Sequence, residues 1–170
     1  MSYRDRTYVI FDGDNDKWAY ARMKGWKTLE NIDFDFKDAH EVYPMTVRAE
    51  NERYIKSNLT KRFREAAQVI VLIGEKTKNL YKYVKWELEV TLELDLPIIT
   101  VNLNGMRSLD DNLCPPIIKD KYVVHIPFKM KIIKYALDNF PSEYRRRNKN
   151  EDGPRIYNDS IYKELGLKNE

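Results

Sequence analysis

From Val84 to Leu96 apolar and polar residues alternate strictly: Val, Lys, Trp, Glu, Leu, Glu, Val, Thr, Leu, Glu, Leu, Asp, Leu. A period of two is the mark of a half-buried strand. Strands, however, usually run about 5–6 residues, and this run leads straight into another apolar segment, Pro97 to Asn102. Leu and Glu are strong helix formers, and Glu is depleted in strands. On a helix, Val84, Leu88, Thr91, Leu92 and Asp95 share one side, while Trp86, Val90 and Leu94 share another. The stretch is therefore predicted to be a helix wetted along a narrow strip, packed between a sheet and a neighbouring helix or subunit. Pro97 to Asn102 is then a buried strand.

The same two periods recur along the chain. Thr7 to Phe11 (TYVIF) is a short run of β formers and reads as a buried strand. It stops at Asp12-Gly13-Asp14-Asn15-Asp16, a polar turn with helix N-cap chemistry. Lys17 to Leu29 carries Trp18, Ala21, Arg22, Gly25, Trp26 and Leu29 at helical spacing. Ile32 to Phe36 alternates cleanly, as in a strand with one wetter face at an edge. A loop with Pro44 leads to a helix over about Asn51 to Ala67, striped by Ile55, Leu59, Phe63 and Ala66. Val69 to Ile73 (VIVLI) is the most apolar strand, which places it centrally, and it ends at Gly74. Leu103 to Lys121, with Gly105, Pro115 and Pro116, reads as irregular connection. Tyr122 to Ile126 is a fifth strand, and Lys129 to Phe140 a helix with Ile132, Ile133, Ala136, Leu137 and Phe140 inward. Beyond Pro141 the chain turns polar, ending in a short helical pattern over Ile161 to Leu165. The division expected is a domain over residues 1–140 and a C-terminal tail over 141–170. No internal repeat is present.

Short apolar strands alternating with helices predict an α/β fold: a mostly parallel five-stranded sheet covered on both faces in three layers. The natural strand order is the flavodoxin-like 2-1-3-4-5, which puts a ligand outside the carboxyl ends of the first and third strands. Those ends are Phe11–Asp16 and Gly74–Lys78, and the helix bearing Glu87 is entered from the second.

Composition narrows the partners. Of 170 residues, 42% are apolar, enough for a folded globule, while 30 Lys+Arg against 27 Asp+Glu leave a net charge of +3. That balance does not argue for nucleic acid. Cys114 is the only cysteine, which removes a disulfide framework and fits a reducing, cytoplasmic setting. No apolar run approaches the roughly 18–20 residues of a membrane span, and the N-terminus lacks the apolar core of a signal peptide.

Candidate chemistry is sparse. Asp12 and Asp14 after a strand resemble the first motif of haloacid-dehalogenase-type phosphohydrolases, a Mg-dependent class whose first Asp is a nucleophile. Asp16 stands where those enzymes usually carry Thr or Val. An EF-hand loop fails, since Gly13 is in the wrong slot and Met23 holds the twelfth position. A receiver domain would want an Asp where Gly74 stands. The plain reading of the aspartates is a turn that caps the first helix. Glu87 is a helix glutamate beside Trp86; most such glutamates sit on a solvated face, as expected of Glu89 and Glu93, and most such tryptophans are core. His40 and His125 are isolated, and Cys114 has no neighbour that would activate a thiolate. Arg145–Arg147 reads as a solvated tail. No metal-ligand spacing or Gly-rich phosphate loop appears.

Taken together, several segments resemble a known family: the strand ending Phe11-Asp12, the IDFDF strand with Asp38 just after it, VIVLIGEKT, and Lys85-Trp86-Glu87-Leu88-Glu89 followed by Leu94-Asp95-Leu96-Pro97-Ile98-Ile99. In order and spacing they look like the bacterial TIR-like domains, particularly the group of Thoeris anti-phage TIR proteins, over roughly residues 5–140. The resemblance implies a flavodoxin-like (TIR-like) fold and cleavage of NAD at the nicotinamide–ribose bond, with NAD as substrate, no cofactor and no metal. It places the required glutamate at Glu87 and the nucleotide-pocket residues at Phe11 and Asp12, with Asp38 and Trp86 as further substrate-binding candidates. It also implies a (cyclic) ADP-ribose signal read by a separate effector protein, homo-oligomerisation on activation, and a phage-derived trigger. Two other classes stay open: a non-catalytic TIR-like assembly module, and a phosphohydrolase using Asp12 and Asp14.

Overall fold

The computed structural model describes residues 2–39, 51–80 and 83–167; His40 and Pro44, singled out above, lie outside them. Five strands, β1 (Thr7–Ile10), β2 (Phe36–Asp38), β3 (Gln68–Ile73), β4 (Ile98–Asn102) and β5 (Val124–Pro127), form one sheet in the order β2-β1-β3-β4-β5. Every pairing is parallel, and the predicted flavodoxin-like order holds. The described helices between them are α1 (Lys17–Leu29), α2 (Glu52–Phe63), α3 (Tyr83–Glu93) and α4 (Pro116–Lys119), and α5 (Met130–Arg146) and α6 (Asp159–Glu164) follow β5.

Both faces of the sheet are buried, which is why its strands are continuous apolar runs instead of alternating ones. Val9, Ile70, Leu72, Ile99 and Val101 point to one face, under α1 and α5, with Ala19, Met23, Ile133, Leu137 and Phe140. Tyr8, Ile10, Val69, Val71 and Ile73 point to the other, under α2 and α3, with Ile55, Leu59, Phe63, Val84 and Val90. Successive side chains thus feed opposite layers, as a pleated strand requires.

The ambiguous stretch is a helix, α3, and its wetted strip is as narrow as expected. Lys85 and Glu93 are exposed, whereas Val84, Trp86, Glu87, Leu88, Val90 and Thr91 are all buried. Asp95 ends it in the left-handed region, φ 53°, with the Leu96 amide returning to the Thr91 carbonyl at 3.2 Å. Glu89, expected on a solvated face, is partly covered and paired with Lys56 of α2.

Four expectations need correction. The second strand is Phe36–Asp38, not Ile32–Phe36. It starts four residues late, with Thr7 opposite Phe36 and Val9 opposite Asp38, because Phe34 instead stacks on Phe36 at 4.8 Å and packs beside Trp26. The inward face of α1 is Ala19, Tyr20 and Met23, so Trp18, Ala21 and Leu29 face solvent and the apolar stripe is shifted in phase. Between Leu103 and Lys121 a short helix, α4, begins at Pro116, where the ring's fixed φ suits a first turn. Finally α5 runs through Pro141 to Arg146. Pro141 forfeits a backbone hydrogen bond, but it is buried beside Phe140, and Tyr144 one turn on packs against Tyr122 and Phe140. Packing on that face outweighs the lost bond.

The segment after α5 returns to the sheet. The Arg155 amide donates to the Val123 carbonyl at 2.8 Å, and the His125 amide to the Arg155 carbonyl at 2.9 Å. This covers the outer edge of β5, a row of backbone groups that would otherwise invite pairing. Tyr162 of α6 is 1% exposed and belongs to the α1/α5 core.

Candidate functional site

The carboxyl ends of β1, β3 and β4 each carry a loop held by its own side chains. After β1, Asp12 folds the turn around itself. Its Oδ1 accepts from the amides of Asp14 (3.0 Å) and Asn15 (3.2 Å), and its Oδ2 from Asn15 Nδ2 (2.7 Å). Asp is suited to such local bonds, which mimic a backbone turn. The Asp16 amide then returns to the Asp12 carbonyl at 2.9 Å and α1 begins.

After β3, Thr77 Oγ1 accepts from the Gly74 amide at 2.9 Å and lies 3.5 Å from Asp16 Oδ2. Gly74 is required by this contact: a Cβ there would meet Asp16 Oδ2 at 2.1 Å. The first two loops are thereby locked together. Burial, the charge of Asp12 and that of Glu75 push the Asp16 carboxyl above its ordinary range, against the pull of Thr77.

After β4, Asp110 does what Asp12 does after β1. It accepts from the amides of Asn112 and Leu113, each at 3.0 Å, and from Asn104 Nδ2 at 2.8 Å. Burial acts to raise its carboxyl, but these bonds and Lys78 outweigh it and carry it below the usual range. Asn102 adds bonds from Nδ2 to the carbonyls of Met106 and Ser108. The segment read from sequence as irregular is thus an ordered loop whose signal is its Asn and Asp spacing.

These three loops border an open cavity of about 390 Å³, lined by Asn15, Asp16, Trp18, Ile73, Gly74, Glu75, Lys76, Leu103, Asn104 and Leu113. The expected convergence of the first and third strand ends is present, joined by the β4 loop that sequence reasoning did not include. Glu87 does not line this cavity. It is the fifth residue of α3, 0% exposed, one turn into the helix that the β3 loop feeds. Its carbonyl accepts from Thr91 Oγ1 at 2.7 Å. Trp86 is buried in the α2/α3 core, edge-on to Tyr83 at 5.7 Å. Phe11 lies beneath the β1 turn, 1% exposed and stacked on Tyr20 at 5.0 Å. Asp38 is half-buried at the end of β2, opposite Val9. Asp14 is exposed at the turn.

Two further groups are buried without being activated. Burial pushes the Cys114 thiol up to about 12, so it holds its proton at neutral pH. His125 lies mid-strand, 0% exposed, with Nδ1 2.5 Å from Thr100 Oγ1, and burial lowers it to about 4. Among the described residues no group of three or more His, Cys, Asp and Glu is gathered as a metal site. No described helix is long and apolar enough to cross a membrane.

A family model described as the TIR-like domain of the Thoeris protein ThsB matches residues 8–108. No curated protein matches the chain.

Proposed function

The chain belongs to the Thoeris ThsB TIR-like family, a TIR-type defence protein, and from that premise we propose that it cleaves NAD at the nicotinamide–ribose bond and releases a (cyclic) ADP-ribose signal. Glu87 carries the proposal. Glu87 is 0% exposed in the first half of α3, a rare setting for a carboxylate, and it is the residue on which the resemblance in sequence puts the family's required glutamate.

Departure of nicotinamide leaves an oxocarbenium-like ribose, as in glycoside chemistry. A carboxylate in a dry site stabilises that developing charge far more than one in water. Nicotinamide is a good leaving group, so one carboxylate suffices. Phe11 and Asp12 directly follow β1, just before the cavity-lining Asn15 and Asp16, and neither lines the cavity itself. Asp12 contributes by shaping the turn, since its oxygens already receive three hydrogen bonds. The same bonds count against a nucleophilic Asp12 in a phosphohydrolase.

Because Glu87 is wholly covered, a ribose reaches it only after its cover moves. Activity should therefore depend on assembly of several copies or on a phage-derived trigger, with the product passed to a separate effector protein. Incubation with NAD across protein concentrations, with and without infected-cell lysate, followed by identification of the products, tests this. Wild-type protein should release nicotinamide, and Glu87→Gln should lower turnover by at least about a hundredfold while melting normally. Full activity in that variant would remove Glu87 from the chemistry. A phosphohydrolase would instead lose activity in EDTA and on Asp12→Asn, with NAD untouched, and a purely assembling module would consume neither substrate in any state.

A further inference from the structure

Trp18 is the misfit of α1. The helix buries Ala19, Tyr20 and Met23, yet leaves this indole 52% exposed in its first turn. The ring is not loose: it stands edge-on to Phe128, centroids 5.7 Å apart at 78°. One side of it forms a wall of the cavity at the β1, β3 and β4 ends.

The cavity has the build of a ligand site. Its volume, about 390 Å³, falls in the usual range for small-molecule pockets, which combine an aromatic wall with a few fixed polar groups. It stands at the β1/β3 switch point, where the connections leave the sheet in opposite directions. Asn104 is held in place on its wall by Asp110 and by the Met106 amide.

Charge decides what enters. The lining carries Asp16 and Glu75 against Lys76, so an anionic phosphate is disfavoured while a neutral ring with amino hydrogens finds acceptors. A planar purine satisfies both the aromatic wall and the acidic one. We propose that Trp18 is the stacking platform for the adenine half of the substrate. This rests on the NAD-cleaving assignment for the identity of the whole molecule, but the nucleobase preference stands on the cavity itself.

Titrations of the full chain with AMP, ADP-ribose and nicotinamide mononucleotide test it, the last lacking the adenine. AMP and ADP-ribose should bind and quench indole emission. Trp18→Ala should weaken both by about tenfold, the usual range for loss of one base stack, and leave nicotinamide mononucleotide unaffected. Trp18→Phe should keep most of the affinity but lose the quenching. As Trp18 is exposed, both variants should melt like the parent, and binding then reports the site alone. Wild-type protein that ignores AMP, or a Trp18→Ala variant that binds it as tightly, would overturn the assignment and leave the indole as a protein-docking residue. The two ideas fail separately. Normal AMP binding through Trp18 with no NAD cleavage removes the proposed reaction only. NAD cleavage lost in Glu87→Gln, with AMP binding indifferent to Trp18, removes the platform only.

Discussion

Gly74 looks in the sequence like an ordinary strand terminator. In the structure it is the point at which two loops touch, and its hydrogen faces a carboxylate 2.1 Å from where a Cβ would stand. Asp16 is held by Thr77 and by burial, so it has little room to retreat. Gly74→Ala should therefore destabilise the protein by about 1–3 kcal/mol, the usual cost of overpacking. Denaturant titration of Gly74→Ala, Asp16→Ala and the double variant should show strong coupling, with Asp16→Ala removing most of the penalty. Two titrating groups make further, opposite contributions. The raised Asp16 carboxyl means the folded state holds a proton more readily than the unfolded chain. Its ionisation costs stability above the folded-state value, and Asp16→Asn should raise the midpoint at pH 7 more than at pH 4. His125 is depressed to about 4 from 6.5, so here the unfolded chain binds the proton first. Its contribution is intact above pH 6.5 and is lost as pH falls towards 4. At about 1.4 kcal/mol per pH unit, the gap is worth up to about 3 kcal/mol. Melting curves of the parent between pH 7 and 4 should fall, and those of His125→Gln should fall less.

Among the elements, those whose burial is one-sided or complete were legible and those decided by a neighbour were not. Ile55, Leu59 and Phe63 of α2 and the α5 stripe from Ile132 to Phe140 are all 0% exposed, as their spacing predicts, whereas Ala66 lies past the end of α2 at Phe63 and is only partly buried. In α3, length and propensity overrode the period of two correctly, since a helix buried nearly all round places few constraints on its pattern. In α1 the stripe was misphased because Trp18 and Leu29 look like core residues, whereas the sheet is met by Ala19, Tyr20 and Met23. The end of α5 was misjudged because Pro141 normally stops a helix, and only Phe140, Tyr122 and Tyr144 packed together show why this one continues. The returning segment carries a prediction at the same scale. Tyr162 fills the α1/α5 core and lies under the Arg107 guanidinium at 4.0 Å, tying α6 to the β4 loop. Tyr162→Ala should cost about 3–5 kcal/mol, the range for deleting a large buried aromatic. Denaturant unfolding measures it, and a loss below about 1 kcal/mol would mean the last helix is merely appended.

At the scale of the molecule, three strand ends become one crevice because parallel strands all finish on the same side of the sheet. If activity requires a second copy to uncover Glu87, NAD turnover per mole should rise with protein concentration and saturate. A flat profile over a hundredfold range would show a self-sufficient single chain. The alternation of apolar strands with helices was enough to give the α/β class; the strand order followed as the natural choice for five such strands, and with it the two loops that meet at the cavity. Those are consequences of how short buried strands must be covered and connected, and they are written in local periodicity. The cavity, the joining of the β4 loop to its wall, the exposure of Trp18 and the complete burial of Glu87 were decided only by the tertiary structure. Each depends on which residues from distant segments meet, through contacts such as Asp16 with Gly74 and Asn104 with Asp110, and no period along the chain encodes a meeting of that kind.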